Sequence, residues 1–213
     1  MAKDIIIGID AGTSILKAVA FTLNGKEIAS SSINNIYKTA HGGQATQSLN
    51  TTWKNCIKII SELKNKINNF KDRVAIISVT GQGDGTWLID KKGKPVCDAW
   101  LWLDSRSSDI AKKLSKLNSE KLRFDLTGTG IFAGQQSSQI SYMDKNNPEI
   151  LDQSSTAFHC KDWIYFKLTN VRATDPSEAC FTFGNFRTRQ YDENVIDGLG
   201  LTKRKNLLPD IID

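Results

Sequence analysis

Gly8-Ile9-Asp10-Ala11-Gly12-Thr13-Ser14-Ile15-Leu16-Lys17 follows directly on the apolar run Ile5-Ile6-Ile7. An apolar strand runs into an acid, then a glycine, then two hydroxyls, then a lysine. Gly12 lets the backbone approach a phosphate closely. Thr13 and Ser14 offer hydroxyl and amide donors in a turn, where successive N–H groups form an anion nest. Asp10 is a hard oxygen ligand suited to hydrated Mg²⁺. An ordinary β-hairpin with an Ala-Gly turn carries the same pattern, so the rest of the chain has to decide between the two.

Working outward, Ile5–Asp10 and Lys17–Thr22 are predicted strands. Asn24-Gly25 is a hairpin turn signal, which makes Glu27–Ser32 a third, antiparallel strand. Residues 33–47 are polar and contain glycine, and predict a loop. Trp53, Cys56, Ile57, Ile60, Leu63 and Ile67 recur at three- and four-residue intervals, one face of a helix from Leu49 to Ile67. Val74–Val79 reads as a buried strand ending at Thr80-Gly81, and Thr86–Ile89 as another strand. Helices are expected over Ser107–Leu117 and Ser138–Asp144, and Trp163–Leu168 reads as a helix or an apolar turn. Phe124–Gly134, with three glycines, reads as a loop near a site. Asp175-Pro176 should open a further element, with proline at its first position.

The chain has 213 residues, 39% hydrophobic and 24% charged, which are globular values. No apolar run approaches a membrane span. The N-terminus enters strand one without a signal-peptide pattern. Cys56, Cys97, Cys160 and Cys180 form no C-x-x-C pair and read as reduced thiols of a cytoplasmic protein. The net charge of +5 sits largely on two predicted helices. No basic stripe is interleaved with aromatics, so nucleic acid is not an expected partner. There is neither a G-x-S-x-G nor a G-x-x-x-x-G-K-[ST] segment, and only two histidines.

Four segments in order resemble the FGGY carbohydrate kinases. The Asp10–Lys17 loop is similar to the first phosphate loop of actin-like ATPases. Gly81-Gln82-Gly83-Asp84-Gly85 stands where the family holds substrate-binding residues. Trp102-Leu103-Asp104-Ser105-Arg106 resembles its W-x-D-x-R, and Lys161-Asp162 with Ala173-Thr174-Asp175-Pro176-Ser177-Glu178-Ala179 its K-D…T-D-x-S-x-A. Gly42-Gly43…Gln47…Trp53 is a looser match, with Thr46 and Ser48 in place of the family's acids. Where xylulokinases carry Met-His and glycerol kinases Arg-Glu, this chain has Gly83-Asp84. That pair, with residues 98–104 and 173–187, looks like the members that phosphorylate erythritol. An ionised carboxylate accepts hydrogen bonds that polyol hydroxyls donate.

The resemblance implies an α/β fold of the ribonuclease-H-like, actin-like type, the N-terminal lobe of a two-lobe sugar kinase, as a single domain over residues 1–213. It implies ATP and Mg²⁺, with Asp10 at the metal and Gly12, Thr13, Ser14 and Lys17 at the phosphates. Gln82, Asp84, Trp102, Asp104 and Asp175 would shape the polyol site. Each also has an ordinary reading. Asp84 caps a turn, Trp102 is core, and Asp104 and Asp175 cap helices. Arg106 makes an ion pair, and His41 and His159 are structural or surface residues. The family's base lies in a G-D-x-x-A segment, which this chain lacks and which is expected beyond Asp213, together with a second lobe. The 213 residues alone are therefore expected to be inactive, and their unmatched surface to favour self-association. A non-catalytic polyol-binding half-kinase, a kinase for xylulose, ribulose or glycerol, and a polymerising actin-like protein are the alternatives.

Overall fold

The computed structural model describes residues 3–212. In chain order the elements begin with β1 (Ile5–Ala11), β2 (Ile15–Thr22), β3 (Glu27–Asn34), β4 (Lys38–Ala40) and β5 (Gln44–Gln47). Next come α1 (Leu49–Lys66), α2 (Phe70–Arg73), β6 (Val74–Gly81), β7 (Trp87–Ile89) and β8 (Ala99–Trp100). Helices α3 (Ser108–Leu114), α4 (Glu120–Thr127), α5 (Gln136–Asn146) and α6 (Pro148–Gln153) precede β9 (Thr156–Phe158). The chain continues through α7 (Cys160–Thr169), β10 (Ala173–Thr174), α8 (Pro176–Thr182), β11 (Gly184–Asn185), β12 (Gln190–Tyr191) and α9 (Glu193–Gly198). A 3₁₀ turn over Thr202–Leu207 and β13 (Asp210–Ile211) complete it.

These elements form two compact units. The first comprises residues 1–37 and 48–82, the second residues 38–47 and 83–213. The first unit is a four-stranded sheet in the order β3-β2-β1-β6. β2 is antiparallel to β1 and to β3, and β6 is parallel to β1. Ile5, Ile7 and Ile9 alternate inward as a half-buried strand requires. Helix α1 starts on Ser48, whose hydroxyl accepts the Thr51 N–H at 3.3 Å. It buries Leu49, Thr52, Cys56, Ile59 and Leu63. The predicted period is therefore right and its phase partly wrong, since Ile57 is exposed. β6 departs from the buried strand expected of it. It is an edge of the sheet, and Ile76 and Ile77 are 58% and 40% exposed.

In the second unit, residues expected as a loop form the β4–β5 hairpin, which pairs on through β5 with β8. Gly42 and Gly43, both at positive φ, make its turn. β7 pairs with β9. Around them Leu88, Ile140, Met143, Leu151, Phe183 and Ile196 form a buried core. The expected glycine-rich loop begins later than predicted, because α4 runs to Thr127 and ends on Gly128 at φ 73°. Near its end the chain supplies β13, parallel to β10.

Candidate functional site

The first unit carries the β1–β2 turn. A Cβ on Gly12 would lie 2.7 Å from the Ile15 carbonyl oxygen, so this turn accepts only glycine. Two buried amides hold it. The Thr13 hydroxyl donates to Gln82 Oε1 at 3.0 Å, and the Gln82 N–H donates to the Ala11 carbonyl at 3.0 Å. Asn35 Nδ2 donates to the Gly12 carbonyl at 3.0 Å. Gln82, expected at the polyol, is thus 9% exposed and bonded to the β1–β2 turn. Asn35, which sequence reasoning missed, braces the same turn. Ser14 and Lys17 are exposed, as is Asp10, which pairs in register with Lys17 on one side and Thr80 on the other. Among the described residues no three His, Cys, Asp or Glu side chains gather as a metal cage. A lone exposed carboxylate fits Mg²⁺ that is held mostly by water and phosphate oxygens.

The second unit carries Asp84, whose turn is tightly constrained. Asp84 has φ 53°, an uncommon value for a residue with a Cβ, and Gly85 follows at φ 75°. A Cβ on Gly85 would sit 2.5 Å from the Trp100 carbonyl oxygen. The Gly85 N–H donates to the Gly134 carbonyl at 3.0 Å. Asp84 Oδ1 is buried without a hydrogen-bond partner among the described residues. Burial pushes its carboxyl up to about 7, with His159 pulling it down and Glu178 pushing it further up.

His159 is 4% exposed. Its N–H donates to Asp162 Oδ2 at 2.9 Å, closing the first turn of α7. Its ring lies between two carboxylates, with Nδ1 3.3 Å from Asp162 Oδ2 and Nε2 3.7 Å from Glu178 Oε2. Burial works against the charged imidazole, but Glu178 and Asp162 outweigh it and hold its pKa above the ordinary value. Lys161 Nζ bridges Asp162 Oδ1 at 2.9 Å and Asp175 Oδ2 at 3.0 Å. Asp175 caps α8 as its ordinary reading predicted, accepting from the Ser177 N–H at 2.8 Å. Burial would raise the Asp175 carboxyl, but bonds from Ser177 and Lys161 hold it at about 2. Nearly half of its side chain remains exposed, and it lines a groove of 390 Å³ with Thr127, Phe181 and Arg189.

Trp102 is 46% exposed, so it is a surface residue and not core. Its carbonyl presses on Gly134, where a Cβ would come within 1.9 Å. Asp104 departs from the expected ligand role. Its side chain is wholly buried, accepting the Ala45 N–H at 2.9 Å and the Arg106 guanidinium at 2.7 Å. Arg106 also stacks 3.3 Å over the Trp100 ring. Asp104 therefore ties the segment carrying Trp102 to the β4–β5 hairpin and offers no oxygen to solvent.

The model of the FGGY family of carbohydrate kinases, N-terminal domain, matches residues 5–213. An erythritol kinase of Brucella abortus is 55% identical over 99% of this chain, which covers 40% of that protein. A glycerol kinase of Aquifex aeolicus is 30% identical over 97% of this chain and 42% of its own length. The chain thus spans about two-fifths of the curated relatives it matches. In structure it is similar to a xyloylose kinase from Brucella ovis, at TM-score 0.90 and 20% identity over 98% of this chain and 42% of that one. It also resembles a Plasmodium falciparum glycerol kinase solved with ADP, at TM-score 0.84 and 24% identity over 99% of this chain and 43% of that one. These structures share its mixed α/β fold, that of a sugar-kinase N-terminal lobe. The chain belongs to the FGGY family of carbohydrate kinases, as its N-terminal domain.

Proposed function

We propose that the complete protein transfers the γ-phosphoryl group of ATP to a terminal hydroxyl of a sugar alcohol, with erythritol as the preferred acceptor. The observation that carries this reading is the 55% identity to an erythritol kinase across 99% of the chain. The structure adds a chemical reason for a polyol. Asp84 sets a buried acceptor at a rigid turn, suited to neutral hydroxyl donors. Exposed Trp102 supplies an apolar face for carbon–hydrogen bonds, and Asp175 a second carboxylate. Gln82 acts through Thr13, and Asp104 through the Trp102 segment, so both are positioning residues in this reading.

On the nucleotide side, the Gly12–Ser14 turn and Lys17 meet the phosphates, and Asp10 faces the metal's water shell. Mg²⁺, when bound, neutralises charge on the transferring phosphoryl group. No residue of this chain is assigned as the base. Among the described residues, no helix is long and apolar enough to cross a membrane. We place the protein in the cytoplasm, where metabolic kinases meet ATP, with a polyol and ATP as its small-molecule partners.

The test is coupled ADP release by the full-length protein with Mg·ATP and a panel of acceptors. Erythritol should exceed glycerol and xylulose in kcat/KM by about tenfold or more, the scale on which pocket contacts discriminate small substrates. A higher value for xylulose or glycerol would overturn the assignment.

A further inference from the structure

The cluster around Asp84 contains two atoms that the fold leaves unsatisfied. Asp84 Oδ1 and His159 Nε2 are both buried and without a hydrogen-bond partner among the described residues. Unpaired buried polar atoms are costly, and a native structure that keeps two of them in one place calls for a reason. Glu178 reaches across this space. Its Oε2 is 3.7 Å from His159 Nε2, and a Cβ on Gly83 would meet its Oε1 at 3.4 Å.

The charges facing one another come from three elements. The turn after β6 brings Asp84, the start of α7 brings His159, Lys161 and Asp162, and the start of α8 brings Asp175 and Glu178. Four carboxyl groups thus share one lysine and one imidazole. Lys161 is already divided between Asp162 and Asp175. Asp84 and Glu178 are left with His159 as their only cationic neighbour among these groups. A mostly buried space with this excess of acid holds on to a proton.

We propose that His159 and Glu178 are positioning residues for Asp84, and that one proton shared among the three sets whether Asp84 presents a carboxylate to the polyol. The proposal rests on the polyol reading of Asp84. A carboxylate accepts from two hydroxyls, whereas the neutral acid spends one oxygen as a donor. A protonated His159 favours the carboxylate, and Glu178 opposes it. The affinity for a neutral polyol therefore follows pH although the ligand itself does not titrate. The coupled groups titrate together, so the midpoint belongs to the cluster.

Two measurements decide the matter. The first needs no ligand. In the full-length protein the His159 ring is followed in a proton NMR titration as the imidazole signal that a His159→Gln variant lacks. Asp84→Asn should move the His159 midpoint down, because it removes a carboxylate that favours the imidazolium. An unchanged midpoint in a folded variant overturns the proposal. The second is calorimetric titration of the full-length protein with erythritol. With the Asp84 carboxyl at about 7, affinity should fall about tenfold between about pH 8 and about pH 6. His159→Gln should move that fall to higher pH, so that affinity lost at neutrality returns in alkali. Glu178→Gln should move it lower, since Asp162 still faces the imidazole. Shifts in the same direction, or a uniform loss at every pH, overturn the proposal. No erythritol binding at any pH would sink the substrate reading, while the NMR titration still decides the coupling.

Discussion

The β1–β2 turn and the Asp84 cluster handle acidic groups in opposite ways. Asp10 stands exposed and alone on its strand, flanked by Lys17 and Thr80. Asp84 is partly buried beside three further carboxyls, a lysine and an imidazole. The first arrangement suits a ligand that arrives with its own charges and its own metal, since the protein need supply only a rigid turn and one hard oxygen. The second suits an uncharged ligand, for which the protein must supply all the polarity and hold it in place against the cost of burial. In the proposed function similar residue types thus serve opposite purposes, and solvent exposure separates them.

The largest effect should come from breaking the cluster. Asp162 is 3% exposed and joins His159 to Lys161. Asp162→Ala removes the buried carboxylate that both groups share, leaving Lys161 only Asp175 and His159 only the more distant Glu178, and should lower unfolding stability by about 3–5 kcal/mol, measured by chemical denaturation. A loss under about 1 kcal/mol, the surface-pair range, would show that the cluster is not held together as described. Next is Asp10→Asn in the complete enzyme. It should lower kcat by roughly 10²–10³-fold, the scale for losing a group that stabilises developing charge. Its polyol KM should stay within about threefold, as expected of a group acting mainly in the transition state. A normal kcat with a raised polyol KM would move Asp10 out of the nucleotide site.

Asp175→Ala should cost about 1 kcal/mol through loss of the α8 cap. Its carboxyl lies at about 2, below the ordinary 3.8. That contribution is fully present above the unfolded-state value and is lost as pH falls toward 2, so variant and wild type should converge in acid. A stability gap that is constant with pH would mean the carboxylate is not what caps the helix. The smallest effect belongs to Asp98→Ala. Asp98 faces Lys38 at 3.6 Å with both side chains well exposed, and stability should change by no more than about 0.5 kcal/mol.

The strands and main helices were legible because their signals are local. Ile5–Ala11 alternates, Asn24-Gly25 marks the β2–β3 hairpin, and α1 shows its period. Asp175-Pro176 announced its cap for the same reason. The β4–β5 hairpin was hidden because its residues are mostly exposed and polar, with little apolar alternation to read. β6 was misjudged because an apolar run does not say whether its strand lies at the edge of a sheet. Within the site, Asp10, Gly12 and Asp84 were legible as motif residues. His159 and Glu178 were not, because their meeting with Asp84 depends on how α7 and α8 pack. Asp104 was read as a ligand because its motif borders the sugar pocket in the family, but only tertiary structure shows that the β4–β5 hairpin and Arg106 occupy its oxygens.

The central claim is that the partly buried Asp84 serves the polyol while the exposed turn serves the nucleotide. Asp84→Asn in the full-length protein, titrated calorimetrically with erythritol and separately with Mg·ATP, tests it most directly. Erythritol affinity should fall by about tenfold or more, the loss of a hydrogen bond to a charged group, and Mg·ATP affinity should stay within about twofold of wild type. Equal losses for both ligands, or a loss confined to Mg·ATP, would contradict the account.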